Sequence, residues 1–299
     1  MSLGTKPLFL LIGILVLGLT IVGFMKGAIG SALLGTESFL DKPHVSLPAT
    51  ELSSIGPLAI TNTLLSSWIA TLVLIVLFFL ATRKISLVPG RIQNLMELII
   101  ESLYDFVASV SGEQYARRFF PIIATIFLFV VANAWLGLLP IYQSLGIISH
   151  GHLEVHVLRP AGTDINMTFA IALIAFLFIE YWGFRAHGLG FLKEFVRFGS
   201  VFKDFPRNVG MGLVDVFVGF LELLSHFIRI VSFGFRLFGN MLAGEILLLV
   251  SAFLVTFVAI LPFYGLELLV GGIQALIFAG LTLVFATVAV ASADGEDHH

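Results

Sequence analysis

The sequence predicts an all-α protein that crosses a membrane several times. Of its 299 residues, 58% are apolar and only 12% are Asp, Glu, Lys or Arg, whereas charged residues make up about 25% of a typical soluble domain. A soluble fold of this size would expose much of that hydrocarbon to water. Several apolar runs also exceed the roughly 18 residues that mark a bilayer-spanning helix. The composition therefore excludes a soluble globular protein.

Charge and cysteine usage exclude two further classes of protein. The formal net charge is −3 and the chain has no cysteine, so neither a basic nucleic-acid-binding surface nor a disulfide scaffold is expected. The 30 phenylalanines and 29 glycines are typical of helices that pack against one another in lipid. The expected surrounding is therefore membrane lipid, with no nucleic-acid partner.

The N-terminal part divides into an apolar segment and a polar one. The apolar run at 7–25 lies between Lys6 and Lys26. It has the short basic start of a signal peptide, but no A-x-A cleavage site follows, and the run is long enough to remain in the bilayer. Residues 1–30 are therefore expected to form either a retained helix or a signal-like segment. Residues 31–57 are expected to form a polar segment on the outer side.

The rest of the chain is predicted to be a helical domain at 58–292 with an acidic tail at 293–299. An amphipathic segment at 91–110 carries acidic residues at helical spacing, which suits a helix that lies in the interface. The runs expected to span the bilayer are 58–81, 119–139, 164–184, 208–257 and 265–291.

The run at 208–257 is too long for an ordinary span. It contains no proline, so nothing forces a helix break. At about 1.5 Å per residue, the helix would be about 70 Å long, over twice the roughly 30 Å hydrocarbon thickness. It must therefore either turn or lie strongly tilted. Pro262 and Gly265 mark a hairpin into the final run.

Basic residues predict the orientation, because Lys and Arg favour cytoplasmic loops. The connection at 82–118 and the loop at 185–207 are both basic. Two spans separate them, so both are expected on the cytoplasmic side, together with the C-terminal tail. The loop that contains the histidines of 150–156 then faces outward. An N-terminus unlike a transit peptide favours a bacterial plasma membrane over an organelle.

The C-terminal third places charged side chains at bilayer depth, where each costs a few kcal/mol on insertion scales. Such residues normally face a water-filled cavity or a partner, and they often mark an ion path. They are Asp215, Glu222, Arg229, Arg236, Glu245 and Glu267. Steps of mostly four residues also define one polar stripe on a helix, comprising Ser225, Arg229, Ser232, Arg236 and Asn240.

Two interpretations of these charges stay open at the level of sequence. Glu222 and Arg229 are seven residues apart and either pair with each other or serve an ion path, and Arg229 could also reach toward the headgroups. Arg236 has no acidic residue four positions away on either side. Its counter-charge is therefore expected on a distant element or on another chain.

The residues around Arg236 resemble a known family. The run SFGFRLFGNMLAGE at 232–245 closely resembles the signature of subunit a of the F-type ATP synthase membrane sector. Other stretches match that family in order, from the second span to the final helix: FFP at 119–121, NAWLGLLP at 133–140, TDINMT at 163–168 and QALIF at 274–278. The resemblance extends over about 89–292.

This resemblance implies five family spans; the apolar run at 7–25 would add an N-terminal helix if it is retained. The last two spans would be long and tilted, and would form a hairpin against a ring of c subunits, with subunit b as a further stator partner. Arg236 would be the essential charge that faces the ring and favours the ionised form of each arriving c carboxylate. The subunit itself would be non-catalytic, with no ATP site and no cofactor. The transported ion is expected to be H⁺, although the sequence does not exclude Na⁺.

The resemblance also implies two offset half-channels lined by polar residues. We expect Glu245 and Glu267 in the outer half-channel and Glu222 near the inner exit, although some relatives carry histidine at the position of Glu267. The expected proton path comprises Glu222, Ser232, Asn240, Glu245, Glu267 and Gln274. Asn240 or Gln274 would soften the attraction between Arg236 and the ring.

Three further residues are candidates for the channel mouths, namely Asp164, Asn166 and His226. Asp164 is equally suited to cap the third span, and His226 to make a packing hydrogen bond. His150, His152 and His156 have spacings that a zinc ion tolerates, but such spacings occur readily in polar loops, so no metal site is predicted.

Two other functions fit the composition. An intramembrane protease would use paired acids or a Ser–His dyad, but Ser225 and His226 are adjacent and point to different faces of a helix. A secondary ion transporter often shows internal repeats and broken spans, and the sequence shows no repeat. Purification would discriminate, because only an ATP synthase subunit would travel with a c ring and a soluble ATPase head.

Overall fold

The fold is that of a helical bundle with two small β-hairpins. The structure, a computed structural model, describes residues 5–35, 38, 48–55, 58–83, 85, 90–149, 152–188, 209–255 and 257–294. The helices are α1 (Thr5–Lys26), α2 (Ala28–Leu34), α3 (Asn62–Thr82), α4 (Arg91–Gly137), α5 (Pro140–Ser144), α6 (Ile165–His187), α7 (Val209–Leu254) and α8 (Leu261–Asp294). Short 3₁₀ segments occupy Ala161–Thr163 and Phe257–Ile260.

Two β-hairpins lie in the connections between helices. The first directly precedes α3, and the second follows α5. Strand β1 (Glu51–Ile55) pairs antiparallel with β2 (Leu58–Thr61), and β3 (Gly146–Ser149) pairs antiparallel with β4 (His152–His156). The first hairpin moves the start of the next helix from the predicted residue 58 to residue 62. Thr61 caps that helix, because its Oγ1 accepts a hydrogen bond of 3.2 Å from the backbone N–H of Leu64.

Within the described ranges, five helices are long and apolar enough to cross a membrane: Asn62–Thr82, Arg91–Gly137, Ile165–His187, Phe217–Leu254 and Phe257–Ala291. They correspond to the five predicted runs. The predicted class, an all-α polytopic membrane protein, is therefore confirmed. In addition, α1 and α2 form a pair bent by 65° that is long and apolar enough to count as one broken span.

Helix α4 differs from the prediction of an interfacial segment followed by a separate span. It runs from Arg91 to Gly137 and contains Arg91, Arg117 and Arg118 of the basic connection that was expected between two spans. Its direction changes at Gly112, whose φ of 74° and ψ of 156° lie outside the helical range. Only glycine adopts this conformation without a steric penalty. The break therefore separates an amphipathic arm from the spanning part without any intervening loop.

The last two helices form the predicted hairpin, with two differences. Helix α7 continues unbroken from Val209 to Leu254, so the alternative in which it turns is wrong. The reversal of the chain lies at Phe257–Ile260, before the predicted Pro262 and Gly265. Pro262 instead occupies the first turn of α8, where its missing N–H leaves no helical hydrogen bond unmade.

The core lies between α4, α6, α7 and α8. Its largest fully buried apolar side chains are Phe119, Ile123, Ile179, Leu237, Phe278 and Leu283. Helix α3 packs on α4, and α1 packs against the turn between α7 and α8. The arrangement leaves one face of α7 outside the core, and that face carries the polar stripe.

Candidate functional site

Arg236 lies on the face of α7 that points away from the core. Its guanidinium is half-buried, and its Nη2 donates a 3.4 Å hydrogen bond to the Oγ of Ser232, one turn earlier. Ser225, Ser232 and Asn240 of the same stripe are exposed. Neither of the two ion pairs found in the described part of the chain involves Arg236. A charged face at bilayer depth needs water or a partner, because lipid cannot solvate it.

The α7–α8 interface brings two predicted residues together beside Arg236. Asn240, one turn beyond Arg236, donates a 2.5 Å hydrogen bond from its Nδ2 to the Oε1 of Gln274 on α8. The Gln274 side chain is buried, and its Nε2 has no hydrogen-bond partner among the described residues. An amide donor is therefore available within the interface that leads toward Arg236.

Further along the same interface, Glu267 is buried against Gly244. Only 7% of Glu267 is exposed, and a side chain at position 244 would overlap its carboxylate. The glycine is thus required because the two helices approach closely at this point. No ion pair of Glu267 is found within the described ranges.

Glu245 has a partner that the sequence reasoning missed. Arg159, in the loop before α6, donates from Nε to both carboxylate oxygens at 3.1 Å and from Nη2 to Oε2 at 2.8 Å. The side chains of the pair are 7% and 23% exposed, respectively. One signal was available in the sequence, since Arg159 is a basic residue in a connection predicted to face outward, where such residues are disfavoured.

Asp164 and Asn166 lie at the start of α6. Asp164 Oδ1 accepts a 2.9 Å hydrogen bond from the backbone N–H of Asn166, and Oδ2 accepts one of 2.7 Å from Thr63 Oγ1 on α3. Asp164 therefore caps α6, as its position suggested, and also ties α6 to α3. The Asn166 side chain is exposed.

At the other end of α7, His226 joins α7 to α6. Its Nδ1 lies 2.6 Å from the Oε1 of Glu180, and both side chains are largely buried. This contact is the packing hydrogen bond expected as one alternative for His226, although its partner was not predicted. Because the imidazole is engaged with Glu180, a catalytic dyad with Ser225 is disfavoured.

Arg229 and Glu222 are not paired in the structure. The guanidinium of Arg229 lies 4.1 Å from the ring centroid of Phe285 on α8, a favourable cation–π contact, and it also interacts electrostatically with Glu180. The Glu222–Arg229 ion pair that was one sequence alternative is therefore wrong. Glu222 stays half-exposed on α7.

The remaining candidates are placed only in part. His152 and His156 lie on β4, whereas His150 and the side chain of Asp215 lie outside the described residues. Within the described ranges, no group of three or more His, Cys, Asp or Glu could hold a metal ion.

Comparison with known proteins identifies the family of this chain. The sequence profile of the family described as ATP synthase A chain matches residues 64–287. The ATP synthase subunit a of Gloeobacter violaceus is 36% identical over 269 residues, which cover 90% of this chain and 98% of the relative. The chain belongs to the ATP synthase A chain family. Its resemblance to subunit a is thereby confirmed.

Two further relatives of this ATP synthase A chain member also match most of its length. The ATP synthase subunit a 3 of Pelobacter propionicus is 32% identical over 247 residues, covering 83% of this chain and 93% of the relative. The ATP synthase subunit a of Geotalea daltonii is 31% identical over 219 residues, covering 73% and 83%, respectively. The matched range contains Arg236, Asn240, Glu267 and Gln274.

Proposed function

We propose that this chain is the proton-translocating stator subunit of an F-type ATP synthase, with Arg236 as its essential charge. The observation that supports this function is the position of Arg236 on the face of α7 that points away from the core, within a helix apolar enough to span a membrane. Neither ion pair of the described residues involves Arg236. A cation in that position is stabilised only when an anion or water arrives from outside the chain. A rotating ring that carries one carboxyl group per subunit would supply such anions in turn.

The chemistry follows from the permanent charge of arginine. A guanidinium does not lose its proton at attainable pH. It favours the ionised form of a nearby carboxyl group, so a c-subunit carboxyl releases its proton when it reaches Arg236. The same positive charge repels protons and prevents their direct passage between the two half-channels. Lysine would be a poorer substitute, because its ammonium loses its charge more readily on burial.

Two half-channels lead protons to and from the ring in this proposal. On the outer side, the path includes Glu245, Glu267, Gln274 and Asn240, with Asp164 and Asn166 at the mouth. On the inner side, protons leave past Ser232 and Glu222, with His226 nearby. One elementary charge that crosses 100 mV releases about 2.3 kcal/mol, and the ring converts successive transfers into rotation.

The same proposal assigns partners and location. The ring of c subunits faces the polar stripe of α7, and subunit b completes the stator. The chain lies in a bacterial plasma membrane with its C-terminus on the cytoplasmic side, and residues 1–30 remain as an extra helix. The ion is H⁺; Na⁺ remains the alternative, because the binding carboxylate belongs to the c subunit.

Substitution of Arg236 by alanine tests the function in the assembled complex. Arg236→Ala is expected to abolish both ATP synthesis and ATP-driven proton pumping in reconstituted vesicles, with a loss of at least 100-fold, while the c ring and the soluble ATPase head still co-purify. Arg117→Ala, at an exposed arginine on α4, is the matched control and should retain both activities. Normal synthesis by an assembled Arg236→Ala complex would refute the proposed role of Arg236.

A further inference from the structure

Two carboxyl groups near the turn between α7 and α8 have very different surroundings. Glu245 accepts three hydrogen bonds from the Arg159 guanidinium, at 2.8–3.1 Å. Glu267 is buried against Gly244, and neither a hydrogen bond nor an ion pair of Glu267 is found in the part of the chain that the structure describes. Glu245 and Glu267 are both expected in the outer proton path, but only the Glu245 carboxylate is held by a cation among the described residues.

Arg159 is itself fixed from several directions. Only 6% of the residue is exposed. Its Nη1 donates to the carbonyl oxygen of Pro48 at 3.2 Å, and its backbone N–H donates to Ser66 Oγ on α3 at 3.1 Å. The guanidinium therefore cannot move away from Glu245 without also losing its hydrogen bond to Pro48. Charge-assisted hydrogen bonds of this kind are short and strong, and they hold the carboxylate in a fixed position.

Helix geometry places Glu245 on the side of α7 opposite to Arg236. Glu245 lies nine residues after Arg236, which is two and a half turns at 3.6 residues per turn, so the two side chains leave opposite faces of the helix. Gly244 and Asn240, by contrast, both face α8. The interface with α8 therefore lies nearer than Glu245 to the face that carries Arg236.

On α8, Glu267 and Gln274 continue that interface. They are seven residues apart, which puts them on nearly the same face with about 10 Å of rise between them. Glu267 packs on Gly244, and Gln274 accepts the hydrogen bond from Asn240. The α7–α8 interface thus presents a carboxyl group and then an amide pair on the way to Arg236, one turn beyond Asn240.

We propose that Arg159 is a positioning residue of the outer proton path, which keeps Glu245 a fixed carboxylate so that Glu267 alone carries the proton toward Gln274 and Arg236. This inference rests on the proposed function. Arg159 removes a competitor, because two nearby carboxyl groups without a cation share protons and one of them holds its proton tightly. With Arg159 in place, a proton from the outer water binds Glu267 and is passed on to the carboxylate of the ring.

The charged side chains on the elements packed around this end of α7 are few. Within the described ranges, they include Arg159 in the loop, Asp164 at the start of α6, Glu267 on α8, Lys26 at the end of α1 and Glu51 on β1, which follows the segment that contacts Arg159. Both oxygens of Asp164 accept hydrogen bonds from Asn166 and Thr63. Arg159 is the cation that contacts Glu245 in the structure.

The first experiment tests the carrier. The complete complex is reconstituted in vesicles, and ATP synthesis driven by an imposed proton gradient is measured as the pH on the outer side is varied. Glu267→Gln keeps the size of the side chain and removes only its acid, so the complex should assemble, and synthesis should fall at least tenfold. Glu267→His restores a titratable group and should recover at least a third of the rate with a displaced pH profile. An assembled Glu267→Gln complex with the parental rate would overturn the proposal.

The second experiment tests Arg159 by rescue. Arg159→Gln leaves Glu245 without its cation and should lower synthesis at least fivefold, with a shift of the outer-pH profile by at least half a unit. Adding Glu245→Gln removes the competing acid and should restore most of the lost rate and the parental profile. A merely structural Arg159 would lower the rate equally at every pH, and the second substitution would not restore it; that result would overturn the proposal.

These outcomes differ from a failure of the proposed function. If Arg236→Ala abolishes synthesis but Glu267→Gln does not, only the assignment of the carrier is wrong. If the double variant does not assemble, the outer-pH profile of Arg159→Gln alone decides: a shifted profile supports the proposal, and a rate that is lowered equally at every pH overturns it.

Discussion

Arg159 and Arg236 are two arginines with opposite surroundings, and the difference separates architecture from function. Arg159 is almost completely buried, and its charge is met by Glu245 within the chain. Arg236 is half-buried on an outward face, where its hydrogen bond to Ser232 is a long one of 3.4 Å to a neutral hydroxyl. Once a cation and a carboxylate are buried as a pair, removing either one destabilises the fold strongly, because the other charge is left unpaired. A cation without such a partner is stabilised only in the assembled complex.

The largest effect on stability is therefore expected at Arg159. Arg159→Ala leaves the Glu245 carboxylate partly buried and unpaired, which typically costs about 3–5 kcal/mol. The thermal midpoint of the complex in detergent should therefore fall clearly. It is measured by the release of this subunit from the complex. Arg236→Ala, which breaks no ion pair, should leave that midpoint nearly unchanged. If both variants lowered the midpoint equally, Arg236 would be a structural residue like Arg159.

A smaller effect is expected at the contact between α6 and α7. His226→Phe keeps an aromatic ring but removes the hydrogen bond with Glu180, whose oxygen lies 2.6 Å from Nδ1. Leaving one buried polar partner unsatisfied costs about 1–3 kcal/mol, so the midpoint should fall by less than for Arg159→Ala. The matched control is Phe227→Leu at the adjacent exposed position. An unchanged midpoint would show that water replaces the imidazole at Glu180.

A still smaller effect is expected at the cap of α6. Asp164→Ala removes the hydrogen bonds to the Asn166 N–H and the Thr63 hydroxyl, and loss of a helix cap costs about 1 kcal/mol. Asp164→Asn retains the acceptor and should recover most of the loss. The same thermal assay distinguishes the capping role from a place in the channel mouth. A capping residue changes the midpoint, whereas a channel residue lowers synthesis in a complex of normal stability.

Ser232→Ala tests whether the polar stripe around Arg236 contributes to the stability of the fold, and the smallest effect is expected here. Its side chain is exposed, and its hydroxyl accepts a long hydrogen bond of 3.4 Å from Arg236. Surface substitutions of this kind usually change stability by less than about 0.5 kcal/mol. The expected result is an unchanged thermal midpoint, measured in the same detergent assay as the other variants. A clear loss of stability would mean that the stripe is part of the folded core rather than a face for a partner.

The two regions also differ in how far the sequence could predict them. The stripe around Arg236 was predictable because its members lie on one helix, where a spacing of three or four residues determines the face. The pairs Arg159–Glu245 and Glu180–His226 join residues that are 86 and 46 positions apart, respectively. No periodicity relates such positions, since each pair depends on which helix or loop packs beside which.

Two boundaries illustrate the same limit at the level of the backbone. The break at Gly112 was not predicted, because a glycine adopts both helical and left-handed conformations, and packing selects between them. The reversal between α7 and α8 lies at residues 257–260 rather than at Pro262, because proline is compatible with the first turn of a helix. At both positions the local residue preferences are compatible with more than one backbone conformation.

The sequence alone determined that this protein is a helical membrane protein with one polar stripe and an arginine that lacks a local partner. These properties depend on the length of apolar runs, the thickness of the hydrocarbon layer and the period of the helix, all of which act over short stretches of chain. Only the tertiary structure decided which acids are neutralised inside the chain and which stay available. The loop before α6 brings Arg159 within hydrogen-bond distance of Glu245, and the close approach of α7 and α8 at Gly244 buries Glu267.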